Sequence, residues 1–407
     1  LAVIIFEISI SYYKSPTNDL SAFFIFTKIK AMSKLPHIGT SIFTVMSKMA
    51  TDYQAINLSQ GFPNFPIDVR MTEILARLAK TDIHQYAPMV GYPPLLEKIA
   101  QLTLDHYQRK VNPSTEILIT AGATEAIFAS IQAFVQPQDE VIILDPSYDC
   151  YEMPIILSNA KPIRIALKED YSPNFEAISQ HLSTKTRMLI LNNPHNPSGK
   201  IWTENDFIQL EKIIENYPDL LILSDEVYEF ITFENKHISI NTREKLKDRS
   251  LIVSSFGKTL HLTGWKIGYL IAPENLLEEV KKVHQYLVFS VNSLAQASIN
   301  EYLTVFDVNE VAQLYSEKRN FFKHLLKDTA FDLLPCEGTY FQTASYQSIS
   351  DEKDVDFTKR LVTEFGVSTI PLSVFYGDQT DLNRIRFCFA KNDELLLQAA
   401  ERLLKIK

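Results

Sequence analysis

From Glu116 onward, short β-branched and aliphatic runs recur between segments of helical period. They are EILIT (116–120), EVIIL (140–144), KPIRIAL (161–167), TRMLIL (186–191), LLILS (220–224), SLIVS (250–254) and GYLIA (268–272). A strand with one wet face alternates apolar and polar residues, whereas these runs are nearly continuous, as in strands buried on both faces. The pattern predicts an α/β domain whose mainly parallel seven-stranded sheet is covered by helices. After about Leu294 the pattern changes. A helical stretch runs through Lys327, then come FDLLPCEGTYFQTASY, GVSTIPLSVFY and RIRFCFA, and NDELLLQAAERLLKI closes the chain as a helix. This predicts a smaller α+β unit. The expected large domain is 67–294 and the small one 295–407. The stretch 32–66, rich in Pro, Gly and polar turns, is assigned to pack with the small unit.

Residues 1–31 are rich in Ile and Phe. They show no basic region before the first apolar run, no small-residue cleavage site and no uninterrupted span of membrane length. Met32 reads as a natural start, and 1–31 as a non-native or disordered extension. Lys plus Arg number 40 against 49 Asp plus Glu, a net charge of −9. That balance argues against nucleic-acid and membrane partners, so any bound anion needs a local site. Cys150, Cys336 and Cys388 are far apart and lack metal-ligand spacing, which fits a reducing cytoplasm and no metal site.

Open parallel sheets bind ligands beyond the carboxyl ends of their strands, so the residues after each run carry the chemistry. AGATEAIF follows EILIT, and Ala123 and Thr124 open a helix there: either a tight turn or an anion site. DPSYDCY follows EVIIL, placing Tyr148 as a core residue or as a cover for a flat ligand. NNPHNPSGK follows TRMLIL, and its two Asn-Pro steps hold amide side chains in a fixed posture. His195 between them reads as a solvent-side loop residue rather than a catalyst. LLILS runs into DEVY, where Asp225 or Glu226 is expected to be partly buried and to need a cationic partner.

The stretch SSFGKTLHLTGWKIGY carries Lys258 and Lys266. A nucleotide-binding P-loop needs a glycine where Ile252 stands, so that reading loses its phosphate cradle. A lysine leaving a buried strand has its ammonium desolvated and its pKa lowered, which makes Lys258 a Schiff-base candidate. Lys266 is either an exposed charge or an anion ligand beside Ser255.

Together, NNPHNPSG, SDEVY and SSFGKTLHLTGWKIGY, in this order and at these intervals, resemble the class I aminotransferases of pyridoxal phosphate (PLP) fold type I. QGFPNFP (60–66), QYAPMVGYPPL (85–95) and DPSYDCYE (145–152) resemble the branch with methionine, kynurenine and glutamine aminotransferases, and most of all its bacterial methionine aminotransferases. The resemblance covers the chain from about Met32. It implies that Lys258 carries the Schiff base and moves a proton, that Asp225 pairs with the pyridine nitrogen, and that Tyr228 and Asn196 bond the ring's phenolic oxygen. It implies Tyr148 stacked on the ring, with Ala123, Thr124, Ser255 and Lys266 on the phosphate. It implies, too, that Tyr86 comes from the other subunit of a homodimer with shared active sites.

For the substrate, the resemblance implies that Arg386 clamps the α-carboxylate with help from Asn196 and the backbone of Gly61. Many members carry arginine where Lys266 stands, so here the phosphate meets a point charge rather than a fork. YLVFSVNSLAQ lacks the basic residue that aspartate aminotransferases use for a side-chain carboxylate. Phe62, Phe289 and Phe65 are instead expected to shape an apolar pocket for methionine or aromatic amino acids, with a 2-oxo acid as acceptor. A cysteine-conjugate carbon–sulfur β-lyase using the same lysine is the alternative. A non-catalytic aminotransferase-like binding protein is disfavoured by the intact Lys258.

Overall fold

All seven apolar runs form strands in the computed structural model, which describes residues 34–36 and 38–406. They are Ile117–Thr120 (β1), Glu140–Asp145 (β2), Lys161–Ala166 (β3), Thr186–Asn192 (β4), Leu221–Asp225 (β5), Ser250–Ser255 (β6) and Gly268–Ile271 (β7). The sheet order is β1-β7-β6-β5-β4-β2-β3. Neighbours are parallel except around β7, which is antiparallel to both β1 and β6. The expectation for Met32 and for residues 1–31 lies outside the described residues. From Thr40 onward the chain forms one compact unit.

The continuous apolar runs have a direct structural cause. Val141, Ile143, Met188, Ile190, Leu251 and Val253 belong to one core cluster, while their neighbours Ile142, Leu144, Leu189, Leu191 and Ile252 belong to another. Alternate residues thus face opposite layers, and both must be apolar. Each such aliphatic side chain contributes about 1.5–3 kcal/mol of burial. The edge strand β3 departs from this pattern, with Lys161 and Ala166 exposed. Its Arg164 spans Asp145 (2.8 Å) and Glu152 (2.8 Å).

A second sheet is antiparallel, in the order β10-β11-β9-β8: Asp332–Leu333 (β8), Phe341–Ser345 (β9), Ile370–Pro371 (β10) and Arg384–Cys388 (β11). Arg386 on β11 lies opposite Thr343 on one side and Ile370 on the other. The helical stretch expected from 294 to 327 is two helices, Ser293–Tyr302 and Asn309–Leu326. The Asp307 carboxylate accepts the Asn309 N–H (2.9 Å) and starts the second one afresh. Upstream, helix Ile42–Asp52 leads into a short strand, Ile56–Asn57, that pairs in parallel with Val367–Ser368. Among the described residues, no helix is long and apolar enough to cross a membrane.

Candidate active site

The carboxyl ends of β1, β2, β4, β5 and β6 open onto one cavity of about 420 Å³. Because β7 runs against its neighbours, the residues before its start return to that same edge. This is how Lys266, eight positions after Lys258, lines the same cavity as Lys258. Both lysines leave strand ends on one side of the sheet, so sequence separation and spatial separation are decoupled.

At the cavity floor the buried Asp225 ends β5. Tyr151 donates its hydroxyl to Asp225 Oδ2 (2.6 Å), and the Val227 N–H donates to Oδ1 (3.3 Å). Burial pushes the carboxyl up from 3.8 to about 6, and the Tyr151 bond pulls against that rise. Asn192 donates to the Asp225 carbonyl (2.9 Å) and accepts the Asn196 N–H (2.7 Å), tying the two strand ends together. Lys258 keeps some surface towards the cavity, and its amine is hemmed in by protein. Its Nζ meets the Tyr340 hydroxyl (3.0 Å) and the Gly61 carbonyl (3.4 Å). Burial is the main cause that brings it down from 10.5 to about 8, with repulsion from Arg386 adding to it. An amine so placed is available as a base and a nucleophile near neutral pH.

At the other end, helix Ala123–Phe134 starts after Gly122 with no side-chain cap, so its first N–H groups and its dipole point outward from the sheet edge. Gly122 has φ +76°, and a Cβ there would come 3.1 Å from both Cε and Nζ of Lys266. The turn therefore needs glycine for Lys266 to lie across it. Ser255, Ala123 and Thr124 line the same end.

Arg386 is 1% exposed, and burial lowers its guanidinium below the usual arginine range. It donates to Asn196 Oδ1 (2.7 Å) and to the Ser59 carbonyl (3.2 Å), and lies 3.9 Å from the centroid of the Phe341 ring. Its Nε has no hydrogen-bond partner, and among the described residues no carboxylate pairs with it. A buried cation held only by neutral groups is a ready receptor for an anion.

Of the residues named from the sequence, Lys258, Asp225, Tyr228, Ala123, Thr124, Tyr148, Asn196, Ser255, Lys266, Arg386, Gly61 and Phe62 all line this cavity. Gly61 meets the site through its carbonyl, which accepts from Tyr340 (2.6 Å) as well as from Lys258. Tyr86 and Phe289 do not line it. They are 81% and 47% exposed and pack edge to face on each other, with centroids 5.5 Å apart. Phe65 packs against His261 and Tyr315 rather than lining the cavity. His195 is buried rather than on the solvent side. Its Nδ1 meets Ser198 (2.7 Å), its Nε2 meets the Pro146 carbonyl (2.9 Å), and burial lowers it to about 4. It joins the loops after β2 and β4 as a neutral ring.

Sequence reasoning passed over Tyr151 and Tyr340. The first stands in the same DPSYDCY stretch as Tyr148, where its spacing from Tyr148 was the available signal. Tyr340 lies more than eighty positions from Lys258, and only the fold brings the two together.

A family model described as aminotransferase class I and II matches residues 53–403. The methionine aminotransferase of Escherichia coli is 44% identical over 92% of this chain and 98% of its own length. The kynurenine–oxoglutarate transaminase of Dictyostelium discoideum is 31% identical over 93% and 97%. Among solved structures, YbdL from Escherichia coli, reported with a methionine aminotransferase function, superimposes with a TM-score of 0.90 at 44% identity, covering 92% of this chain and 99% of that one. A lysine, a buried carboxylate and an anion-seeking arginine around one cavity thus sit in a chain that belongs to the class I and II aminotransferases, enzymes that work with pyridoxal phosphate.

Proposed function

We propose that this aminotransferase takes its amino group from an uncharged amino acid, methionine foremost and aromatic amino acids or kynurenine after it, and passes it to a 2-oxo acid. One observation carries the reading. The lysines and arginines lining the cavity, among the described residues, are Lys258, Lys266 and Arg386. Each has a task, as amine, phosphate ligand and α-carboxylate clamp. None is left for a second carboxylate, and Tyr286–Gln296 adds no basic residue.

The residues present fit pyridoxal phosphate. The glycine cradle under Lys266, the uncapped helix start and the buried Asp225 suit a phosphate at one end and a ring nitrogen at the other. When bound, the group supplies an electron sink for a carbanion at the donor's Cα. Lys258 Nζ, as a neutral amine, takes the proton from Cα. Asp225 would hold a proton on the ring nitrogen, with its carboxylate oriented by the Tyr151 hydroxyl. Tyr148 would cover the ring, and Tyr228 and Asn196 would hold its phenolic oxygen. Ala123, Thr124, Ser255 and Lys266 would hold the phosphate. Arg386 fixes the α-carboxylate, with Asn196 shared between the two tasks.

Phe62 borders the donor side chain in this reading, and Phe289, packed on Tyr86, would reach it only from a second copy. The exposed Tyr86 supports a homodimer in which it reaches the cavity of a second copy. The two sheets support a large domain at 67–294 and a small one at 295–407, and the pairing of Ile56–Asn57 with Val367–Ser368 supports placing the segment just before Pro66 with the small one. Three free cysteines fit a cytoplasmic enzyme. The test is a donor panel with a 2-oxo acid acceptor. Methionine turned over faster than aspartate supports the reading; preference for aspartate overturns it, and pyruvate and ammonia released from a cysteine conjugate without acceptor would point to β-elimination.

A further inference from the structure

The loop that borders the donor side of the cavity is held in an unusual way. Four successive carbonyls, from Ser59 to Phe62, each accept from a cationic side chain. Arg386 takes Ser59 (3.2 Å), Lys391 takes Gln60 (3.2 Å) and Phe62 (2.7 Å), and Lys258 takes Gly61 (3.4 Å). Arg386 and Lys258 also face the reaction. Lys391 does not line the cavity, is 3% exposed, and no carboxylate pairs with it among the described residues. Burying an ammonium against carbonyls alone is costly, and the local fold has to hold it there.

We propose that Lys391 is a positioning residue that sets the donor specificity of the enzyme through Phe62; this rests on the reading of Phe62 as a wall of the donor pocket. Phe62 is 43% exposed, so burial alone does not fix its ring. What it has is the Lys391 ammonium, 4.9 Å from its centroid, bonded at the same time to its own carbonyl. The one side chain therefore fixes both the backbone and the ring of Phe62. A second lysine braces the first. Lys318 donates to the Lys391 carbonyl (2.9 Å), pairs with Asp393 (3.1 Å) and lies 5.0 Å from the Phe65 ring. Asn64 accepts the Asn392 N–H (2.7 Å) just beyond. Residues 386–392 thus act as a rail along which the loop 59–64 is fastened, and Arg386 at its start holds the α-carboxylate. The distance between the carboxylate clamp and the side-chain wall is set by this rail.

The test compares wild type, Lys391→Met, Lys391→Arg, Phe62→Ala and the double variant Lys391→Met/Phe62→Ala as holoenzymes. Two quantities are read: kinetics of the methionine half-reaction, and calorimetric binding of 4-(methylthio)butanoate, which has the donor's carboxylate and thioether but no amine to react. Lys391→Met is expected to weaken the analogue and raise the donor KM about tenfold, with a smaller change in kcat. Lys391→Arg restores most of the loss, and the double variant binds no worse than Phe62→Ala alone. Additive losses, or a lower melting temperature with unchanged KM and analogue binding, would overturn the proposal. If Lys391→Met does not fold, Lys391→Gln replaces it; failure of both assigns Lys391 to the fold and also overturns the proposal. A wild type that prefers a dicarboxylate sinks the donor reading by itself, and the same comparison with that donor's KM then decides on Lys391.

Discussion

The Tyr151 hydroxyl donates to Asp225 Oδ2 at 2.6 Å, in a place where, among the described residues, no cation is bonded to the carboxylate. Without pyridoxal phosphate the carboxyl is held up at about 6, against 3.8 in an unfolded chain. Between those values the folded protein keeps a proton that the unfolded chain releases, so stability falls as pH rises from about 4 to about 6 and stays lower above it. Asp225→Asn removes this penalty. Cofactor-free Asp225→Asn is expected to outlast cofactor-free wild type above pH 6, by up to about 3 kcal/mol, with the gap closing near pH 4. Melting temperatures across that range check it. In the loaded enzyme the same substitution lowers kcat by about a hundredfold or more.

Arg386 gives a second prediction. Arg386→Gln removes the anion receptor and leaves Asn196 Oδ1 and the Ser59 carbonyl without their donor. Loss of transition-state stabilisation should reach about 2–5 kcal/mol. It should be similar for every α-amino acid donor, because the α-carboxylate is common to all of them. A loss confined to one donor would assign Arg386 to side-chain recognition instead.

The two lysines of SSFGKTLHLTGWKIGY separate by phenotype. Lys266→Met should weaken pyridoxal phosphate by about ten- to a hundredfold, through one charge-assisted contact, and excess cofactor should restore most turnover. Lys266→Arg should bind it nearly as well as wild type. Fluorescence titration of cofactor-free protein reads both constants.

Much of this was legible in the chain. Continuous apolar runs located all seven strands because most of the sheet is buried on both faces, and the polar residues after five of the runs located the cavity because those strand ends converge. What lay beyond reach depended on position in space. β3 kept the apolar signature although it is an edge strand. The break at 303–308 turned on a single Asp307 turn within a helical pattern. Tyr340, Lys391 and the buried His195 owe their surroundings to segments distant in sequence, and periodicity carries no record of such contacts. The missed tyrosines share one feature: each hydroxyl serves another residue of the site, Asp225 or Lys258.

The central claim is that Lys258 is the amine through which this cavity transaminates an uncharged donor. The most direct measurement is the visible absorbance of the holoenzyme as methionine is added without acceptor, for wild type and Lys258→Met. Wild type is expected to show a cofactor band that shifts with methionine and to form one equivalent of the corresponding 2-oxo acid, and Lys258→Met to show no conversion although pyridoxal phosphate still binds. Equal conversion by Lys258→Met, or a wild type loaded with cofactor that methionine leaves unchanged while aspartate converts it, would contradict the account.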